Sequence, residues 1–218
     1  MVRYIWIGIL SLSFCFNFKV FAQKSCYGTI KIKNSKQSFI SPQEVSVRDY
    51  YYFSIMVKQE YGENSEQYKS LIPDTAKFRA WYGFPFFFQT SSTRKSIKQY
   101  ARFPMIAISY KQAMFFCLWL ENTYAKSNES YIEKYSLPTQ IDYEIIFNQA
   151  KITKKKALSP LQQKGCKCVL GLTDNVAEYT QDGMVVEGGE NSELKFATVE
   201  NYENPVGFRI KATVVSKK

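Results

Sequence analysis

An α+β fold is predicted by three features of the 218-residue sequence. Three helix openings of one chemical type occupy its middle. Period-two alternation of apolar residues concentrates in its last third. The two kinds of element do not interleave as a wound parallel sheet requires.

The helix openings pair a hydroxyl with an acidic or amide side chain three positions on. The hydroxyl accepts from an orphan amide of the first turn, and the later side chain reaches back to the cap. Ser46 with Asp49, Ser109 with Gln112 and Thr139 with Asp142 have this spacing. After the second, Ala113, Phe116, Cys117 and Leu120 share one helical face; after the third, Tyr143, Ile146, Phe147 and Ala150 do. The first is less clean. Its stripe is Val47, Tyr50, Tyr51 and Ser54, and part of the run Tyr50-Tyr51-Tyr52 is expected at the surface. Short amphipathic helices need something to lie against.

Strands are expected to supply it. Thr29 to Lys33 alternates, as does the series Val206, Phe208, Ile210, Ala212, Val214. Met184 to Glu187 and Leu194 to Val199 read as further strands, separated by Gly188-Gly189 and Asn191. The predicted order is one strand, three helices, then strands. Two stretches give no element: 61–100, with Pro73-Asp74, and 151–168. Irregular segments of that length are uncommon unless they bind something or are pinned.

Composition excludes several classes. The net charge is +10, 17% of residues are aromatic and 45% are hydrophobic. That balance rules out a disordered tail, a collagen-like repeat and a polytopic membrane protein. Histidine is absent. Ser-His-Asp triads, Cys-His pairs, His-ligated zinc and carboxylate-histidine iron sites are excluded with it.

Residues 1–22 read as a secretory signal: Arg3, an apolar run from Tyr4 to Phe16, and Val20-Phe21-Ala22 with small residues at the −3 and −1 positions. The run is shorter than the ~20 residues of a spanning helix. Bulky Phe14 before Cys15 argues against a lipid-attachment signal. The expected layout is a signal over 1–22 and one domain over 23–218.

Export permits disulfides. The cysteines beyond the signal are Cys26, Cys117, Cys166 and Cys168, and Cys166 and Cys168 are too close for an unstrained mutual bridge. The expectation is a bridge from Cys26 to Cys166 or Cys168, with Cys117 buried and free. The alternative, a soft-metal or redox Cys-x-Cys site, lacks two further ligands nearby.

Two segments are candidate partner surfaces. One is the aromatic cluster Trp81, Tyr82, Phe84, Phe86, Phe87 and Phe88. Three successive Phe residues on an extended segment cannot all face one core, so part of Phe86, Phe87 and Phe88 is expected exposed or covered by a partner; the alternative is a loop folded over its own core. The other is the basic 151–168 segment, with Lys154, Lys155 and Lys156 as candidate contacts for anionic groups or simply a solvated loop.

Longer strings around these positions carry a family resemblance. They are Glu44-Val45-Ser46 with Tyr50 and Phe53; Pro104-Met105-Ile106-Ala107-Ile108-Ser109-Tyr110 with Ala113, Cys117 and Trp119; and Leu137-Pro138-Thr139-Gln140-Ile141-Asp142-Tyr143-Glu144. Further on come Gly171-Leu172-Thr173-Asp174-Asn175-Val176-Ala177-Glu178-Tyr179, Gly188-Gly189 and Gly207-Phe208-Arg209. In this order, over about 40–212, they resemble the framework of formylglycine-generating-enzyme-like (sulfatase-modifying factor) domains. The resemblance implies an irregular, loop-rich α+β fold related to C-type lectins.

Its chemistry transfers less well. Oxidising members use a cysteine pair between the Gly-Gly and Gly-Phe-Arg strings, where copper binds, and 190–206 contain no cysteine. Other members act with iron and histidines. The resemblance therefore implies a catalytically empty member. It also implies calcium as the one cofactor to consider, on Asn175, Val176 and Glu178, although the Gly of the family string is missing. The alternative is Glu178 paired with a buried Arg such as Arg209.

Non-catalytic domains of this family serve as structural subunits of gliding-motility and type IX secretion assemblies in Bacteroidota, and Pro73-Asp74-Thr75 followed by Trp81 resembles their layout. The expectation is an exported, non-enzymatic structural or partner-binding protein of the bacterial envelope, periplasmic or outer-membrane-associated. It would be peripheral to the membrane at most. Its partner would be an envelope protein or peptidoglycan, not nucleic acid. The alternatives are a modifying enzyme acting through Glu178 or Cys117, and a glycan-binding protein.

Overall fold

Each of the three hydroxyl caps starts a helix. The computed structural model describes residues 30–35, 37–86, 100–124, 131–149, 169, 171–172, 175–188 and 193–216. The signal at 1–22, Cys26, Phe87, Phe88, the 151–168 segment with Lys154, Lys155 and Lys156, and the pair Cys166 and Cys168 lie outside them. The described residues form a mixed α+β structure of five α-helices and two four-stranded sheets.

Two short strands come first, β1 (Ile30–Lys31) and β2 (Ser38–Ile40). Helix α1 (Val47–Tyr61) opens on Ser46, whose Oγ accepts from the Asp49 amide and donates to Asp49 Oδ2. The next two orphan amides, Val47 and Arg48, donate to the carbonyls of Phe103 and Ala101. In the stretch that gave no element stand α2 (Glu66–Lys69) and α3 (Thr75–Tyr82). Asp74 caps α3 through Oδ1 to the amides of Ala76 and Lys77, and Gly83 ends it at φ 74°. No acidic or amide residue stands three positions after Asp74, so the capping-box pattern does not register there.

Helix α4 (Tyr110–Tyr124) has the full reciprocal box: Ser109 Oγ accepts from the Gln112 amide, and Gln112 Oε1 accepts from the Ser109 amide. Strand β3 (Tyr131–Ser136) and then α5 (Gln140–Gln149), capped by Thr139 with Asp142, follow. The C-terminal third holds β4 (Ala177–Tyr179), β5 (Met184–Gly188), β6 (Leu194–Thr198), a 3₁₀ turn (Val199–Asn201), β7 (Val206–Gly207) and β8 (Lys211–Ser216).

The first sheet is antiparallel throughout, in the order β1-β2-β8-β3. The second runs β6-β5-β4-β7, with only the β4–β7 pair parallel. The expected single alternating strand over 206–214 is therefore corrected. It is divided between the sheets, and Phe208-Arg209-Ile210 cross from one to the other. Alternation persists across the break because Phe208, Ile210 and Ala212 all enter core, but Arg209 on the opposite side is buried as well.

The larger core joins α1, α3 and α4 to this crossing. Tyr50, Phe53, Phe116 and Phe208 meet ring to ring, with Phe53–Phe116 centroids 5.1 Å apart and Phe116–Phe208 5.4 Å. Tyr50 keeps its hydroxyl satisfied on the Leu71 carbonyl at 3.0 Å. Of the three successive tyrosines, Tyr50 is buried, Tyr51 half-buried and Tyr52 exposed. A second cluster gathers Ile30, Ile32 and Ile40 with Tyr143 and Ile146 of α5.

Candidate functional site

Two places gather functional side chains: a buried charge cluster at the crossing and an open cleft beside it. Glu178 lies in β4, between β5 and β7, with no solvent-facing side. Arg209 meets it as a fork, Nε to Oε2 and Nη2 to Oε1, both at 2.6 Å. Tyr143 of α5 donates to the same Oε2 at 2.8 Å, and Arg209 Nη1 donates to the Ser41 carbonyl at 3.3 Å. One guanidinium thereby ties segment 41–44, α5, β4 and the sheet crossing together.

Glu44 is a second carboxylate at the same cation, with Oε2 at 4.0 Å from Arg209 Nη2 and both side chains at 0% exposure. Its Oε1 accepts from Asn175 Nδ2 at 2.7 Å, whereas its Oε2 accepts no hydrogen bond from the described residues. Burial pushes the Glu44 carboxyl up to about 7; the charge of Glu178 adds to this and Arg209 opposes it. Burial works against a charged Arg209, but Glu178 outweighs it and holds the guanidinium ionised. Gly171 closes the cluster at φ 73°, where an added Cβ would sit 2.5 Å from Glu44 Oε1.

These contacts bear on calcium. The ion takes six to eight oxygens, hard carboxylates and carbonyls for preference. Both Glu178 oxygens accept from Arg209, and the Asn175 amide turns its Nδ2 toward Glu44. Among the described residues no group of three His, Cys, Asp or Glu side chains is placed to hold a metal ion. The side chains of the described residues do not fit calcium.

The cleft has a volume of about 970 Å³ and lies between one face of α3, the N-terminal end of α4 and the 199–206 segment. Its floor is Ala107-Ile108-Ser109 with Tyr110 and Tyr179. The floor is tied from behind: the Asp74 amide donates to the Ala107 carbonyl at 2.8 Å, Tyr179 Oη to the Ile108 carbonyl at 2.8 Å, and Tyr110 Oη to the Gln181 carbonyl at 2.9 Å. Ala107 holds φ 59°, a left-handed conformation unusual for a residue with a Cβ. The helices contribute Lys77, Trp81 and Lys111; the segment after β6 contributes Glu200, Tyr202 and Glu203. Trp81 is 47% exposed. Among the described residues, none of Lys77, Lys111, Glu200 and Glu203 has an ion-pair partner.

Of the residues singled out from sequence, Trp81 stands on this cleft. Phe86 does not offer itself to a partner: it has no exposed surface and packs against Tyr50, Tyr51 and Phe78. Burial alternates along this segment, with Tyr82, Phe84 and Phe86 inward and Trp81, Gly83 and Pro85 outward, and Phe87 and Phe88 lie outside the described residues. Cys117 is buried, and burial pushes its thiol up to about 12. Neither it nor Glu178 presents a reactive atom to solvent. Sequence reasoning missed Lys77, Lys111, Glu200 and Glu203, which carry no pattern of their own, and passed over Glu44 as part of a string. No family model, curated protein or solved structure matches the chain.

Proposed function

We propose that this chain is an exported, non-enzymatic partner-binding protein of the bacterial cell envelope, built on a formylglycine-generating-enzyme-like framework. The cleft between α3, α4 and residues 199–206 is the face it offers. In the family that this sequence resembles, the cysteine pair falls between the Gly-Gly and Gly-Phe-Arg strings. Here the described part of that stretch supplies Glu200, Tyr202 and Glu203 to a cleft wall. The observation that carries the reading is the state of that cleft: four charged side chains without ion-pair partners among the described residues, around a half-exposed indole, on a floor whose Ala107 and Ile108 carbonyls are already bonded. Unpaired charge beside an aromatic anchor is the composition of an interface, in which Trp packs and charges select. The framework strings serve the structure's own caps and the Glu178–Arg209 pair.

Size-exclusion chromatography and pull-down from envelope extracts test the reading, comparing the wild-type chain with Trp81→Ala and with Glu200→Lys/Glu203→Lys. A partner retained by wild type and lost by both variants supports it. A monomer that captures nothing, or a partner indifferent to all three substitutions, counts against it. A glycan reading draws on the same indole, since aromatic faces stack on sugar rings. Retention on peptidoglycan sacculi that survives high salt and disappears in Trp81→Ala favours that reading instead.

A further inference from the structure

We infer that Arg209 is the resident cation of β4 and of the Asn175-Val176 segment leading into it, and that its guanidinium occupies the electrostatic role a metal ion would otherwise fill there. Four observations converge. Arg209 is wholly buried and donates to three acceptors, both oxygens of Glu178 at 2.6 Å and the Ser41 carbonyl at 3.3 Å, and it stands 4.0 Å from Glu44 Oε2 as an ion-pair contact without a hydrogen bond. Three donors already occupy the Glu178 carboxylate, because Tyr143 takes a second lone pair of Oε2 beside the two bonds from Arg209. Asn175 presents a donor rather than an oxygen to the centre. Gly171 brings backbone so close to Glu44 Oε1 that no side chain fits between.

Charge balance points the same way. Among the described residues the cluster holds one permanent cation, Arg209, against the carboxylates Glu178 and Glu44, with Tyr143, which burial holds neutral, bonded to Glu178. With Glu44 protonated the cluster sums to zero, and with Glu44 ionised to minus one. A divalent ion added to either state would leave uncompensated positive charge in a volume without water access, which is strongly unfavourable. A planar fork also does what a spherical ion does not: it fixes the angle between β4 and the crossing at Phe208-Arg209-Ile210, where the chain passes from one sheet to the other.

The test uses the whole chain and reads its melting midpoint and its metal content. A calcium site half-saturated at about 10 μM would raise the midpoint by roughly 5 to 10 °C at 1 mM calcium over the value in EGTA. The expected shift is under about 1 °C, with no calcium retained after dialysis by elemental analysis. A shift of the larger size, or calcium retained near one per chain, overturns the inference. Arg209→Ala provides the positive arm: ethylguanidinium is expected to raise its midpoint more than ethylammonium at equal concentration. Equal effects of the two amines refute the fork's role, and if this variant does not fold the wild-type arm decides alone.

Discussion

Raising the pH from 5 to 8 is expected to weaken this fold, and Glu44 is the group responsible. In the unfolded chain its carboxyl loses its proton near the ordinary value of 4.5; in the folded chain burial and Glu178 push it up to about 7. Below the lower value both states are protonated and the contribution is fully present. Between the two values the folded chain binds one more proton than the unfolded chain, so stability falls with pH, by about 1.4 kcal/mol per unit. Over that window the loss amounts to about 3 kcal/mol, and above the upper value it stops growing. Urea unfolding at half-unit steps from pH 4.5 to 8 measures it for wild type and for Glu44→Gln, which keeps the volume and the acceptor for Asn175. The difference between the two curves should change by this amount across the window. Parallel curves, or a wild type that gains on the variant as pH rises, would refute the reasoning.

Three further outcomes follow from the geometry. Gly171→Ala places a methyl 2.5 Å from Glu44 Oε1 at φ 73°, and thermal melting should show a loss of about 2 kcal/mol or more. Phe86→Ala should cost about 3–5 kcal/mol in chemical denaturation, whereas Trp81→Ala, half-exposed on the cleft rim, should stay within about 1 kcal/mol; equal costs would show that the two have been assigned to the wrong surfaces. Ala107→Gly should raise the melting midpoint, by about 0.5–1 kcal/mol of relieved strain, because glycine adopts φ 59° freely; a lower midpoint would show that the Ala107 methyl packs for more than its backbone costs.

Lys77, Lys111, Glu200 and Glu203 on the cleft are exposed, so their removal should leave folding nearly unchanged, and under the proposed partner-binding role it should alter binding and its salt dependence. No helix among the described residues is long and apolar enough to cross a membrane.

Helix starts were legible in the sequence because capping is settled within four residues. Ser46 with Asp49, Ser109 with Gln112 and Thr139 with Asp142 close their own hydrogen bonds whatever lies beyond them. The partnership of Glu178 with Arg209 was legible as one of two alternatives, since a carboxylate and a guanidinium set among apolar neighbours require each other. What only the tertiary structure decided was everything that depends on a distant surface. Val206 to Val214 alternates as one strand would, yet its halves pair with β4 and with β2 and β3, and hydrogen-bonding partners far along the chain make that choice. Phe86 and Trp81 look alike in a string of aromatics; the core beneath α1 took one and left the other to solvent. Glu44 reads as an ordinary polar residue until burial removes its water and sets it beside Arg209 and Glu178. Capping energies are local and survive in the string of residues, whereas desolvation and strand pairing are properties of the assembled surfaces.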